Sequence, residues 1–357
     1  MTQRVAVASW SSRLAGGVED YLNIVIPSLQ GARTEVAFWH EVDVPSDRSR
    51  IALPAGVPDF SAASDGAAES MRRLRDWRPD VLYVHGLRDV EMEAELLGIA
   101  PAVLFVHTYA TCISGSKMFS RPAASPCDRK FGPACLVHYF PRGCGGSNPV
   151  TMWRMFGVQS QHLDVLRRYR AILTHSHHMQ REMEKHGLRA HVIPFPVSNG
   201  AGSVADVAIR DEWRLVFAGR MESLKGGDLL IDALPEIAAC CRHLHVTFAG
   251  DGRERAAWEA AANRALPQLP NVTVEFTGWL PESEINALMS HAHLLVVPSL
   301  WPEPFGSVGP MAAQHGLPAA AFASGGITEW LEEAVTGYLA PANPPTASGL
   351  ARASFDA

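Results

Sequence analysis

The chain has 357 residues, 47% of them hydrophobic, with 31 Lys and Arg against 37 Asp and Glu and a net charge of -6. That length exceeds what one compact core usually organises, so two domains are expected. The acidic balance and the lack of a Lys/Arg block exclude nucleic acid as the main partner, and no uncharged apolar run reaches the ~18 residues of a membrane span.

The start, MTQRVAVASW, has one early Arg and a short β-branched run rather than the architecture of a signal peptide, so a cytoplasmic protein is expected. Short β-branched runs then alternate with helical patterns, the rhythm of parallel sheets built from βαβ units. In the first half the strands are RVAVAS, TEVAFWH, DVLYVHG, AVLFVHTY, AILTHS and AHVIPFPV, with helices in VEDYLNIVIPSLQ, DGAAESMRRLRDW, QHLDVLRRYR and MQREMEKHG. In the second half the strands are WRLVFAGR, HVTFAGDG, VTVEFTG, HLLVVPS and PAAAFAS. Helices there fall in KGGDLLIDALPEIAACC, RERAAWEAAANRAL and SEINALMSHA. This divides the chain into an N-terminal domain over 1–197, a linker over 198–213, a C-terminal domain over 214–345 and a short tail over 346–357.

Ligands of open parallel sheets bind beyond the carboxyl ends of the strands, so the residues there are read first. Arg220 follows LVFAG, and Lys225 precedes Gly226-Gly227 and a helix; two cations beside a helix N-terminus suit an anionic diphosphate. The alternative for each alone is a solvated surface charge. After HLLVVPS, Glu303 precedes Phe305-Gly306-Ser307, which turns into another helix with free backbone N–H groups. A carboxylate beside phosphate is repelled unless it points at neutral hydroxyls, so a sugar ring is its natural partner; a capping glutamate is the plain alternative.

Between His107 and Asn148 runs a Gly- and Pro-rich insertion with Cys112, Cys127, Cys135 and Cys144. Four cysteines in one loop fit a structural zinc or iron-sulfur site, disulfides, or free thiols, and no C-x-x-C knuckle decides among them. His175, His177 and His178 crowd one loop, where consecutive histidines cannot all face one ion, and they are read as non-ligating. Cys240-Cys241 is read as buried packing at a helix end. Met152–Arg170 is basic and amphipathic; a helix covering the core with a solvated face is preferred over peripheral association with a membrane.

The segments FAGR....KGGDLLIDAL, FAGDG, FTGWLPESEINALMSHAHLLVVPSLWPEPFG, HGLP and GGITEWLEEAVTGYLAP resemble the retaining nucleotide-sugar glycosyltransferases of family 4, across nearly all of Leu215 to Pro341. AGGVEDYLNIVIPSL, DVLYVHG, LFVHTY and AILTHS match that family more loosely. The resemblance implies an α/β GT-B fold, two Rossmann-like doubly wound domains facing across a cleft, with an acceptor-binding first domain and a donor-binding second one. It implies that Arg220 and Lys225 hold the donor diphosphate and Glu303 contacts the donor sugar, with Phe305, Gly306 and Ser307 beside them. Gly16 and Gly17 would let backbone approach the donor, and His107 would line the reaction centre.

The chemistry implied is transfer from a nucleotide-diphosphate sugar, such as a UDP- or GDP-sugar, to an acceptor hydroxyl on the face from which the diphosphate leaves. No metal or other cofactor is then required for catalysis, and similar Cys-bearing loops occur in part of the family. Two departures stand out. The second glutamate of the family pattern, which holds the nucleotide ribose, falls on Met311, with Pro310 just before it, placed for a helix's first turn. The chain also ends at GLARASFDA, where relatives add helices that cross back to the first domain. A non-catalytic GT-B binding or partner subunit therefore stays open, as does a GT-B nucleotide-sugar epimerase.

Overall fold

The structure, a computed structural model, describes residues 2–13, 16–31, 34–44, 49–196 and 212–357. The chain divides into two compact units, one of Met1–Lys117 and Asp128–Pro196, the other of Met118–Cys127 and Val197–Ala357.

In chain order the first part holds Gln3–Ser11 (β1), Gly17–Gly31 (α1), Thr34–Val42 (β2), Asp59–Ser61 (β3), Ala62–Asp65 (α2), Ala67–Trp77 (α3), Val81–Val84 (β4), Val90–Leu96 (α4) and Ala102–Phe105 (β5). Next come Met118–Phe119 (β6) and Ser125–Pro126 (β7), an antiparallel pair, then Ala134–His138 (α5), Pro149–Leu166 (α6), Ala171–Thr174 (β8), His177–Glu184 (α7) and Ala190–Val192 (β9). The large sheet runs β3-β2-β1-β4-β5-β8-β9, all parallel, so its strand order reverses between β1 and β4.

The second unit holds Glu212–Ala218 (β10), Gly227–Ala238 (α8), His243–Ala249 (β11), Arg255–Ala265 (α9), Val272–Gly278 (β12) and Glu282–Ser290 (α10). It continues with Leu294–Val297 (β13), Val308–Ala313 (α11), Ala319–Phe322 (β14), Gly337–Ala340 (β15) and Ala347–Asp356 (α12). Its parallel sheet runs β12-β11-β10-β13-β14-β15, reversing between β10 and β13. Alternate residues feed two cores, as a sheet covered on both faces requires: Leu215, Phe217 and Val246 pack with α8, α9 and α12, while Val216, Leu295 and Val297 pack with α10 and α11. Each sheet thus presents a reversal point, where an open α/β sheet binds its ligand beyond the strand ends.

All eleven strands expected from the sequence form. The edge strands β3 and β15 form in addition to these. Of the expected linker, 198–211 lies outside the described residues, and Glu212 and Trp213 already belong to β10. The segment 346–357, set apart as a tail, is instead α12, capped by Thr346 and burying Leu350, Ala351 and Ala353 in the core beside α8. Cys240, expected to be buried, is exposed because α8 stops at Ala238; Cys241 is half-buried. The long insertion also contributes structure: α5 and the start of α6 enclose a small core of Ile113, Phe131, Tyr139 and Met152. Among the described residues, no helix is long and apolar enough to cross a membrane.

Candidate active site

In the second unit the expected donor residues gather at the β10/β13 reversal. β10 ends at Ala218 and the chain turns through Gly219 to Arg220, which is exposed. A short 3-10 turn, Ser223–Lys225, then leads into α8 through Gly226 at φ 67°. A Cβ at Gly226 would lie 2.0 Å from the Pro298 carbonyl oxygen, so only glycine lets this turn nest against the end of β13. That close approach delivers Lys225: its Nζ lies 2.5 Å from Glu303 Oε1 and 5.6 Å from the centroid of the Trp301 ring.

Glu303 is 4% exposed, and its Oε1 also accepts the Ser299 hydroxyl at 2.5 Å. Burial works against ionisation here, but Lys225, with the Ser299 and Trp301 side chains, outweighs it and holds the carboxyl below its ordinary range. The backbone around Glu303 is fixed by Gly325 and Gly326: Gly326 N–H donates to the Glu303 carbonyl at 2.7 Å, and a Cβ at Gly325 would clash with Glu303 backbone.

Phe305 and Gly306 follow, with the Trp330 indole N–H donating to the Phe305 carbonyl at 2.7 Å. Ser307 caps α11 by position, without a side-chain bond, and Pro310 falls in the first turn of that helix, as its missing N–H favours. Met311 packs against the core of Val216, Leu295 and Ile327, so its side chain is spent on packing and offers no polar group.

In the first unit the strand ends at the β1/β4 reversal carry an aromatic and histidine cluster. His85 follows β4, His107 lies two residues beyond β5, and His175 follows β8. His85 Nδ1 is 3.0 Å from His107 Nε2, and Tyr21, in the first turns of α1, sets its ring against His85, His107 and His175 at centroid distances of 5.5, 5.5 and 5.1 Å. Tyr21 and Tyr83 hydroxyls are 2.7 Å apart. Burial pushes His85 down to about 3 and His175 to about 4, and it holds His107 well below the ordinary range, with the neighbouring imidazoles adding to the effect. All three are neutral at pH 7, so the His85–His107 bond has one imidazole donating and the other accepting.

Ser9, one step beyond the Ala8–Val84 pair, and Ser12 are buried with hydroxyls that have no hydrogen-bond partner among the described residues, and His85 Nε2 is in the same state. Gly16 accepts the N–H groups of Glu19 and Asp20 through its carbonyl, and a Cβ there would meet only Glu19 Oε2, at 3.7 Å. Gly17 opens α1.

His85 and His175 were not singled out from the sequence as site residues. Both immediately follow a strand, in DVLYVHG and AILTHS, where ligands of open parallel sheets bind, whereas His107 came forward through the family resemblance. Ser176 caps α7, and His177 and His178 turn to Gln180 and Tyr109 rather than to a shared ion. In the insertion, Cys135 and Cys144 pack against its small core, and among the described residues no group of three or more His, Cys, Asp or Glu side chains is placed to hold a metal.

Residues 212–353 match the family model described as glycosyl transferases group 1. The matched segment is the second unit with its Arg220, Lys225 and Glu303. Over 124 residues the chain is 35% identical to the 2-deoxystreptamine glucosyltransferase of Streptomyces kanamyceticus, a match covering 35% of this chain and 31% of that protein. Over 125 residues it is 32% identical to the glycogen synthase of Thermus thermophilus, covering 35% and 27%. The chain thus spans about a third of the length of these curated relatives.

Solved structures extend the likeness to the whole chain at the level of fold. Anabaena Alr3699/HepE in complex with UDP and glucose superposes with a TM-score of 0.65 at 18% identity, covering 98% of this chain and 88% of that one. The sucrose-phosphate synthase of Thermosynechococcus elongatus gives 0.68 at 17%, covering 99% and 89%. The fold is GT-B, with two Rossmann-like units.

Proposed function

We propose that the protein is a retaining glycosyltransferase that moves a sugar from a nucleotide-diphosphate sugar to an acceptor hydroxyl. The observation that carries this reading is the buried Glu303, ionised and paired with Lys225 at the sheet reversal of the unit that matches the glycosyl transferase model. An ammonium has three donors and Glu303 takes one, so Lys225 keeps donors for phosphate oxygens while the carboxylate turns to neutral sugar hydroxyls. Arg220, exposed at the end of β10, adds a forked cation for the diphosphate. Together they stabilise the charge that develops on the leaving diphosphate, the largest contribution such a site makes.

In the first unit, neutral His107 lines the place where the acceptor hydroxyl reacts. Ser9, Ser12 and His85 Nε2 supply buried polar atoms that a hydroxylated acceptor would satisfy. The acceptor hydroxyl forms its bond to the anomeric carbon as the bond to the diphosphate breaks on the same face, and its proton passes to a leaving phosphate oxygen.

Calorimetric titration with UDP, GDP, ADP and TDP tests the donor site. One nucleotide is expected to bind at micromolar strength and to weaken in Arg220→Ala. Binding by none of the four would overturn the reading in favour of a non-catalytic subunit. Transfer from the matching sugar nucleotide, followed by NMR of the anomeric proton, is expected to show retained configuration; an inverted product would overturn that part alone.

A further inference from the structure

The end of the insertion, with α5, and the helix α6 that follows it carry a large share of the exposed apolar side chains. Helix α6 has apolar side chains in both buried and exposed positions. Met152, Val165 and Leu166 are buried, Met155, Phe156 and Leu163 pack against the small core of the insertion, and yet Val150, Trp153 and Val158 are exposed. Val150 is 74% exposed and Trp153 59%. These positions fall at i, i+3 and i+8, so they share one helical stripe, with Arg154 beside them. In the neighbouring segment Val137 is 72% exposed and Phe140 is also exposed. Five of the ten exposed large hydrophobics among the described residues therefore fall between Val137 and Val158. A helix apolar all round is normally covered, and an exposed apolar patch marks an interaction site.

Charge says what covers it. From Arg129 through Leu163 there is no Asp or Glu, although the chain carries 37 of them and an even spread would place about three or four in this window. The same window holds Arg129, Lys130, Arg142 and Arg154, all exposed. A stretch with four exposed cations and no carboxylate of its own, on a chain of net charge -6, is complementary to an anionic surface. A second copy of the chain is a poor fit, because a two-fold contact through this face would set the arginine-bearing patch against the same patch of the other copy. Exposed Trp and Val beside arginines match a segment lying in the headgroup region of an anionic bilayer, where the indole sits at the boundary and the guanidinium groups meet lipid phosphates.

We propose that the α5–α6 face, through Val137, Phe140, Val150, Trp153 and Val158 with Arg142 and Arg154, docks the protein on an anionic membrane surface. This does not depend on the donor reading above.

Co-flotation of the full chain with vesicles tests it, using phosphatidylcholine alone and an equal mixture of phosphatidylcholine and phosphatidylglycerol. The protein floats with the anionic vesicles and not with the neutral ones, and the bound fraction falls as salt rises. Val150→Ser with Trp153→Ser abolishes flotation. Arg142→Glu with Arg154→Glu weakens it at least about 25-fold, from roughly fivefold per cation near such a surface. All four side chains are exposed, so the variants keep the wild-type circular dichroism and melting temperature. Failure to float with the anionic mixture, equal flotation with neutral vesicles, or flotation untouched by both variants overturns the proposal. So does self-association in the ultracentrifuge that the Val150/Trp153 variant removes while flotation is absent, which would assign the face to a second copy.

Discussion

Lys225 and Glu303 are bound to each other, Nζ to Oε1 at 2.5 Å, although 78 residues separate them in the chain. Sequence reasoning gives each a separate role toward a donor; the structure makes them one unit, with the carboxylate almost fully buried and the ammonium at its edge. Removing either therefore changes the stability of the second unit as well as its chemistry.

That coupling separates Lys225 from Arg220. Lys225→Ala leaves a buried carboxylate uncompensated and is expected to cost about 2–3 kcal/mol of stability, below the full value for a buried pair because Lys225 is partly exposed. Arg220→Ala, at an exposed position, is expected to leave the melting temperature nearly unchanged and to weaken nucleotide binding by about tenfold or more. Chemical denaturation and calorimetry on both variants check this. Equal loss of stability in the two would mean that Arg220 is also built into the fold.

Gly226 tests the geometry that presents Lys225. Gly226→Ala must tolerate φ 67° and a Cβ 2.0 Å from the Pro298 carbonyl oxygen, so the end of β13 has to move. Backbone against backbone has no flexible tip to yield, and a loss of about 2–4 kcal/mol is expected, together with weakened nucleotide binding. Gly16→Ala is the contrast. Its Cβ meets only ordinary contact with Glu19, so stability should be close to wild type while transfer falls if a ligand approaches that backbone.

The fold was legible where burial imposes long, regular patterns. Strands such as LVFA and LLVV, buried on both faces, read as continuous apolar runs, and helices α8 and α9 read from their spacing. Helix α12 was not, because ARASFD looks like a polar tail until Leu350, Ala351 and Ala353 are seen beside α8. In the site, Arg220, Lys225 and Glu303 were found from their places after strands. Their mutual pairing was not, since it depends on Gly226 bringing two loops to contact distance. His85 and His175 were missed because a histidine after a strand is ordinary alone and gains meaning only when three meet around Tyr21.

Ser299 donates to the same Glu303 oxygen that Lys225 holds. Ser299→Ala is expected to cost about 1–3 kcal/mol, because the hydrogen bond is buried and made to a charged group. It should raise the Glu303 pKa, so the acid limb of the second unit's stability moves to higher pH. The sign follows from linkage: a depressed carboxylate contributes stability above its unfolded pKa and loses it as pH falls through the folded value. Unchanged acid unfolding in the variant would show that Ser299 does not hold the ionised form.

The histidine cluster gives the opposite residue type and a different window. His85 and His175 titrate in the folded protein near 3 and 4, against about 6.5 in an unfolded chain, so the unfolded state binds more protons between those values. Stability from their neutral state is complete above about pH 6.5 and declines on acidification toward pH 4, by about 1.4 kcal/mol per group for each unit crossed. The first unit should therefore soften before the Glu303 pair of the second begins to titrate. Hydrogen exchange followed by mass spectrometry at pH 7 and pH 5 checks this by comparing protection of β4, β5 and β8 with that of β10, β11 and β13, after correction for the intrinsic pH dependence of exchange. His85→Phe keeps the ring and removes the titration. It should flatten part of the pH dependence while lowering kcat more than it raises KM, because His107 loses the partner that fixes its tautomer. Equal loss of protection in both units at pH 5, or a His85→Phe protein with unaltered pH dependence, would show that the cluster is not the acid-sensitive element.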